Sequence, residues 1–168
     1  KLFNSLSKKK ETFKSIVPGQ VKMYVCGMTV YDFCHLGHAR VLIVFDLIYR
    51  WFKASGYEVT YVRNITDIDD KIIESSKKKN KSIQEITSEI TQIFHEDCKS
   101  LNCLKPSLEP KATSHIKEMI EMTSSLIKKK FAYENKGHVY FSVSTFKNYG
   151  KLSNKNLEEL KTGTRVEV

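Results

Sequence analysis

The chain alternates stretches of period two, period 3.6 and uniform polarity, and each change of period marks an element. Apolar positions in Lys1 to Leu6 and Thr12 to Val17, separated by Lys8 to Lys10, predict a small β-hairpin with the lysines at its turn, and Pro18-Gly19 opens a new segment. VKMYVC, Val21 to Cys26, is rich in β-branched and aromatic residues and stops at Gly27, as a central strand would. From His38, HARVLIVFDLIYRWFKASG is apolar on most sides and closes on Gly56, which predicts a buried helix. Tyr57 to Ile65 alternates again, so the economical reading is strand, loop, helix, strand, with a parallel sheet and a right-handed crossover. Helices are expected over Asp67 to Lys79 and over Ser82 to Leu101, the second from Ile83, Ile86, Ile90, Ile93 and Phe94. LKPSLEP, residues 104–110, carries two prolines and reads as a connector, placing a domain boundary at residue 110. Beyond it come an amphipathic helix over Ala112 to Lys130, a hairpin turning at Asn135-Lys136-Gly137, and a short helix over Asn154 to Leu160 capped by Ser153. The fold class is α/β.

Composition narrows the function classes. The 168 residues are 40% hydrophobic and 28% charged, which is a globular balance with enough apolar material for a core. The longest apolar run, Val41 to Leu47, contains Asp46 and is far short of a membrane span, and the N-terminus lacks the layout of a signal peptide. A cytoplasmic protein without membrane partners is therefore expected. Cys26, Cys34, Cys98 and Cys103 form no CxxC pair, so neither a zinc ribbon nor a disulfide framework is suggested, and free thiols are the expectation. The net charge of +9 favours polyanionic partners, yet it sits in lysine runs near residues 8–10, 77–81 and 128–130 of the kind found at solvated helix ends.

The chemistry concentrates in YVCGMTVYDFCHLGHAR, residues 24–40. His35 and His38 lie where strand gives way to helix, and a helix N-terminus offers free N–H groups and a positive dipole end to phosphate. Two imidazoles on that first turn could stabilise charge developing on one phosphate, and Gly37 between them leaves room for a flat ring. An inert, satisfied histidine pair fits the same spacing. Cys26, Cys34, His35 and His38 are all zinc-type ligands, but the adjacent Cys34 and His35 would project in different directions, which disfavours one cage from all four. Cys26 alone ends a strand at the carboxyl edge of the sheet, where open α/β folds place ligands.

YVCGMTVYDFCHLGHAR together with YVRNITDIDDKI, residues 61–72, resembles the cysteinyl-tRNA synthetases, a class I family, and the similarity runs on through LEPKATSHIKEMIEM, the Gly137 hairpin and YGKLSNKNLEEL. His35-Leu36-Gly37-His38 looks like the family's HIGH motif with leucine in second place. The resemblance implies a Rossmann-like catalytic domain whose first half is residues 1–110, followed at 111–168 by the start of a connective-peptide insertion. The chain would then be about the first third of an enzyme whose KMSKS loop, anticodon-binding domain and remaining zinc ligands lie further on. The implied reaction is ATP-dependent activation of L-cysteine to cysteinyl-adenylate and transfer to tRNA(Cys), by a monomer using one Zn2+ and Mg2+ with ATP.

The implied catalytic residues are His35 and His38. ATP would lie along Met28, Thr29, Val30, Tyr31, Asp32, Phe33, Cys34, His35, Leu36, Gly37 and His38. Cysteine would be held by Cys26, Gly27, Thr29, Asn64 and Thr66, with Cys26 also a zinc ligand. Structural roles compete at several positions. Thr66 and Asp69 fit a T-x-x-D helix cap, and Asp67, Asp69 and Asp70 read as charges complementing a helix dipole. Cys34, Cys98 and Cys103 read as structural thiols. His95, His115 and His138 read as surface or packing residues, and Tyr31 and Trp51 as packing. In the insertion, Lys128 to Lys130 are candidates for phosphate contact. Two other functions remain: a cysteine ligase acting on an amino sugar with the same catalytic fold, and a non-catalytic chain that binds nucleotide or RNA.

Overall fold

The structure, a computed structural model, describes residues 1–154. It divides into two compact units, Ser15–Ile116 and, separately, Lys1–Lys14 together with the described residues from Lys117. In the smaller unit β1 (Leu2–Asn4) pairs antiparallel with β2 (Lys9–Glu11). Of the lysines expected at the turn, Lys8 is there but Lys9 and Lys10 are in a strand. The cause is Asn4, whose Oδ1 accepts the Leu6 N–H at 3.0 Å and so starts the turn early, with Lys8 taking the positive φ of 56°.

The larger unit begins with β3 (Gln20–Val25), which leads through a loop into α1 (Leu36–Ala54) and on to β4 (Glu58–Arg63). The two strands are parallel, from Gln20 opposite Glu58 to Val25 opposite Arg63, so α1 is the crossover that the alternating pattern predicted. Gly56 follows the helix at φ +83°, a conformation that a side chain would strain. Val21 and Val25 face inward, and Val25 packs with Tyr49 of α1 and Tyr61 of β4. The expected burial of α1 is not observed on most sides: Leu42, Tyr49 and Phe52 are buried, while Leu47 is 65% and Trp51 69% exposed. A two-stranded sheet is too narrow to cover more than one side of the helix, and this also removes Trp51 from the packing residues.

α2 (Asp70–Lys79) and α3 (Ile83–Ser100) form a helical hairpin, turned by Asn80 in the left-handed region at φ 49°. α3 opens with a reciprocal cap in which Ser82 Oγ accepts the Glu85 N–H at 3.2 Å and Glu85 Oε2 accepts the Ser82 N–H at 2.8 Å. Its Ile86, Ile90, Phe94 and Cys98 share one core with Met28, Val30, Leu42 and Ile65.

The two-proline segment is not a free linker. It runs along β4 as an extra edge: Arg63 N–H donates to Leu108 O at 3.1 Å, Ile65 N–H to Pro110 O at 2.9 Å, and Ala112 N–H to Ile65 O at 3.1 Å. Proline is tolerated there because an edge asks for acceptors on one side only. The boundary expected at residue 110 consequently falls inside the larger unit.

A 3-10 turn (Ala112–His115) precedes α4 (Ile116–Lys128), so the helix is shorter than its amphipathic pattern. The smaller unit then adds β5 (Ala132–Asn135) and β6 (His138–Phe141), paired antiparallel across Lys136 at φ 51° and Gly137 at φ 79°, the double positive φ of a type I′ turn. The helix expected over Asn154 to Leu160 lies outside the described residues. Among the described residues no helix is long and apolar enough to cross a membrane.

Candidate active site

Beyond the sheet, the loops that leave β3 and β4 stay paired. Thr29 and Thr66 form a parallel bridge, Val30 N–H donates to Thr66 O at 3.1 Å and Thr66 N–H to Met28 O at 3.0 Å. Strand-like alternation continues beyond β4 and resumes beyond β3 one residue out of phase, so Met28, Val30 and Ile65 enter the core while Gly27, Thr29, Asn64 and Thr66 are half-buried. Asn64 is the clamp: its Oδ1 accepts the Gly27 N–H at 2.8 Å and its Nδ2 donates to Thr66 Oγ1 at 3.1 Å. A Cβ on residue 27 would lie 1.5 Å from Asn64 O, so only glycine fits. The five residues expected around the amino acid are therefore neighbours in one strip. Cys26 heads it with an exposed thiol whose described contact is a weak 3.8 Å one to Gly27 O.

The histidines stand at the mouth of α1. His35 is its N-cap, with Nδ1 accepting the Gly37 N–H at 3.1 Å, while His38 Nδ1 accepts the His35 N–H at 3.2 Å. An Nδ1 that accepts carries no proton, so these bonds assign both rings the tautomer protonated at Nε2. Each imidazole thus keeps an N–H donor free of the cap, and the ring centroids are 3.9 Å apart. Burial, then the neighbouring His35, pushes the His38 pKa below the ordinary 6.5, which keeps that ring neutral near pH 7. No acidic residue in the first turn neutralises the positive end of the helix. Gly37 is explained here too, since a Cβ would come within 2.8 Å of His35 Cε1 and unseat the capping ring.

Cys26, Gly27, Met28 and His38 line one cavity of about 190 Å3, whose floor includes Tyr61, Arg63 and Phe94. Arg63 is 4% exposed and held by Glu109 Oε1 at 2.7 Å, with its guanidinium 4.8 Å from the Phe94 ring centre. Glu109 Oε2 also meets His95 Nε2 at 2.6 Å, giving His95 a partner that spacing did not reveal. His115 Nδ1 lies 2.9 Å from Lys111 O, and the His138 ring lies 6.2 Å from that of Tyr140.

Several expectations change in detail. Thr66 does not cap α2. Asp69 does, accepting the Lys71 N–H at 3.0 Å, while Thr66 lies three residues earlier in the bridge to Thr29. Asp67 does not serve the helix dipole either. Its buried carboxylate accepts from Thr113 N–H at 2.9 Å and Thr113 Oγ1 at 2.6 Å, tying the end of the edge segment to the site loop. Burial raises the Asp67 pKa, but those hydrogen bonds outweigh it and hold the carboxyl below its ordinary value. Val30 is a core side chain, leaving only its backbone to a ligand, and Met28 is a core side chain in the cavity wall, whereas Asp32, Phe33 and Leu36 are exposed. Cys34 packs at 3.5 Å on Met28 Sδ, and burial followed by Asp97 pushes its thiol up to about 12, so it is a protonated, structural sulfur. Among the described residues no group of three or more His, Cys, Asp or Glu could hold a metal ion.

A model of the tRNA synthetases class I (C) catalytic domain matches residues 12–168. The cysteine-tRNA ligase of Methylobacillus flagellatus is 55% identical over 169 positions, covering 100% of this chain and 37% of its own. That of Dichelobacter nodosus is 55% identical over 168 positions, covering 99% of this chain and 37% of its own. The chain therefore spans 37% of the length of these curated relatives. Among solved structures, the ternary complex of Agrobacterium radiobacter K84 agnB2 LeuRS-tRNA-LeuAMS superposes with a TM-score of 0.59 over 71% of this chain and 16% of that one, at 19% identity, a likeness of fold. With a parallel βαβ unit, a histidine-capped helix at its carboxyl edge and a family model matched over nearly all its length, the chain belongs to the class I tRNA synthetases, in the (C) catalytic-domain family.

Proposed function

We propose that this chain is the N-terminal third of a cysteine-tRNA ligase, with Ser15–Ile116 the first half of a Rossmann-like nucleotide fold and the part after it the start of the connective insertion. The observation that supports the reading is the cavity shared by Cys26, Gly27 and His38, next to which Asn64 ties Gly27 to Thr66.

In the first step the cysteine carboxylate attacks the α-phosphorus of ATP, and pyrophosphate leaves to give cysteinyl-adenylate. His35 and His38 donate from Nε2 to the phosphate oxygens as charge develops there, supported by the unneutralised positive end of α1. These donors are held in place by the helix cap before the substrate arrives, so little reorganisation is needed in the transition state. Bound ATP would bring magnesium on its phosphates, which would offset their charge. In the second step the terminal ribose hydroxyl of tRNA takes the cysteinyl group and AMP is released. Thr29 and Thr66 offer hydroxyls to the amino acid, and Gly27, lacking a side chain, lets it approach the backbone.

Cys26 fits a metal as one soft ligand among several: its thiol is exposed and lightly engaged, and it stands at the sheet edge. The other ligands would come from outside the described residues. When bound, zinc would supply a direct bond to the substrate thiolate, which the harder and less acidic hydroxyl of serine cannot match. On this reading the enzyme works in the cytosol, where charged tRNA is consumed, each chain holding its own site as a monomer.

Pyrophosphate exchange into ATP by the complete protein tests the reading. Exchange that requires cysteine and ignores serine is expected. A folded, metal-loaded protein that exchanges with no amino acid, or with serine equally well, refutes it.

A further inference from the structure

A second concavity, of about 410 Å3, lies beside the site, between α2 and the Tyr31-Asp32 part of the loop that leads to His35. Lys71, Lys78 and Lys79 line it from the helix. Residues 71, 75, 78 and 79 repeat at helical spacing and so form one stripe, and Ser75 Oγ ties that stripe to the loop by donating to Tyr31 O at 3.4 Å. The Lys71 ammonium stands 5.2 Å from the centre of the Tyr31 ring.

The charges here are only partly balanced. Asp32 and Glu74 are the carboxylates of the groove, and Asp32 already accepts the Phe33 N–H at 2.9 Å. Lys81 at the next turn is different, since it pairs with Glu89 of α3 at 2.6 Å. Among the described residues Lys71, Lys78 and Lys79 make no direct ion pair, although Lys79 is near enough to Glu89 to help lower that carboxyl's pKa. From residue 71 to 79 the helix rises about 12 Å, so the three ammonium groups are strung out along a line and suit an extended polyanion better than a single phosphate.

We propose that this groove is an RNA-docking strip, in which Lys71, Lys78 and Lys79 contact successive phosphates of a strand whose end enters the His35–His38 site. The proposal rests on the tRNA-charging reading above and assigns it a contact surface. Three features together favour RNA: lysines without direct ion pairs along one helix, an aromatic face beside them for a base or ribose, and a loop that runs within four residues from the groove to His35. Such phosphate contacts position the strand and carry no sequence information.

The test is titration of the complete protein with an unmodified tRNA(Cys) transcript across a salt series. The triple variant K71Q/K78Q/K79Q is compared with wild type and with K71R/K78R/K79R. Three lost phosphate contacts should reduce the slope of log K against log salt by about 2 and weaken binding at least about tenfold at low salt. The arginine variant should keep the wild-type slope. Cysteine-dependent pyrophosphate exchange and its KM for ATP should be unchanged in both variants. An unaltered salt slope in the glutamine variant overturns the proposal. So does a raised KM for ATP, which would make the groove a site for the nucleotide's own phosphates. If wild type shows no cysteine-dependent exchange while the salt slope still falls, the tRNA-charging reading fails and the RNA strip stands.

Discussion

Gly27 and His38 illustrate how single residues carry this site. Alanine at 27 would put a methyl group within 1.5 Å of Asn64 O, and that oxygen is backbone in a paired loop, so it cannot give way cheaply. Gly27→Ala should cost about 3 kcal/mol of unfolding free energy, read by denaturant titration, and should abolish exchange by opening the Asn64 clamp. His38 makes a prediction about pH. Its Nδ1 must accept the His35 N–H, so protonation places two donors face to face and releases the cap. Because the folded pKa lies below the unfolded 6.5, the folded state binds fewer protons than the unfolded one between those values. The stability is complete above about pH 6.5 and is lost as pH falls through the lowered folded value. Denaturation midpoints measured over that range should decline in wild type and stay flatter in His38→Gln. The HxxH spacing was visible in the sequence, but the tautomers were not. They follow from which backbone N–H each ring meets.

At the scale of elements, the caps decide where helices begin. Ser82 and Glu85 satisfy each other's backbone N–H at the start of α3, a helix that contributes Ile86, Ile90, Phe94 and Cys98 to the core behind Met28 and Val30. Ser82→Ala should therefore lower stability by about 1 kcal/mol, measured by thermal or denaturant unfolding, with little effect on exchange because the cap is remote from the histidines. The pattern of residues 57–65 and the turn at Asn135-Lys136-Gly137 identified β4 and the β5-β6 hairpin correctly, since both rest on local periodicity and on φ preferences. The two-proline segment misled for an equally physical reason. Proline disfavours interior strands, and nothing in residues 104–110 tells a reader that an unpaired edge of β4 is waiting for their carbonyls.

Over the whole molecule the issues are charge and metal. An excess of 28 basic over 19 acidic residues favours association with polyanions and makes it salt-dependent, whichever lysines make contact. For the proposed metal, Cys26 would be one soft ligand, since its thiol is free and exposed, and no trio of ligands assembles among the described residues. Cys26→Ala in the complete protein should therefore lose zinc and cysteine-dependent exchange together, whereas His38→Ala should keep its zinc and slow exchange by about 10²- to 10³-fold, the loss typical of one transition-state donor. Metal analysis alongside the exchange assay separates the two. A His38→Ala protein that lost its zinc would contradict the division of roles.

Sequence by itself determined what depends on neighbours along the chain: the strand, helix, strand order, the I′ turn, the histidine pair at a helix start and the family whose motifs these are. Only the tertiary structure decided that Asn64, 37 residues from Gly27, makes glycine obligatory there, and that Asp67 serves Thr113, 46 residues away, rather than a helix dipole. It also left much of α1 exposed. Periodicity states that a face is apolar, but burial depends on how much other chain is near enough to cover it, and that is a distance in space which no spacing along the chain encodes.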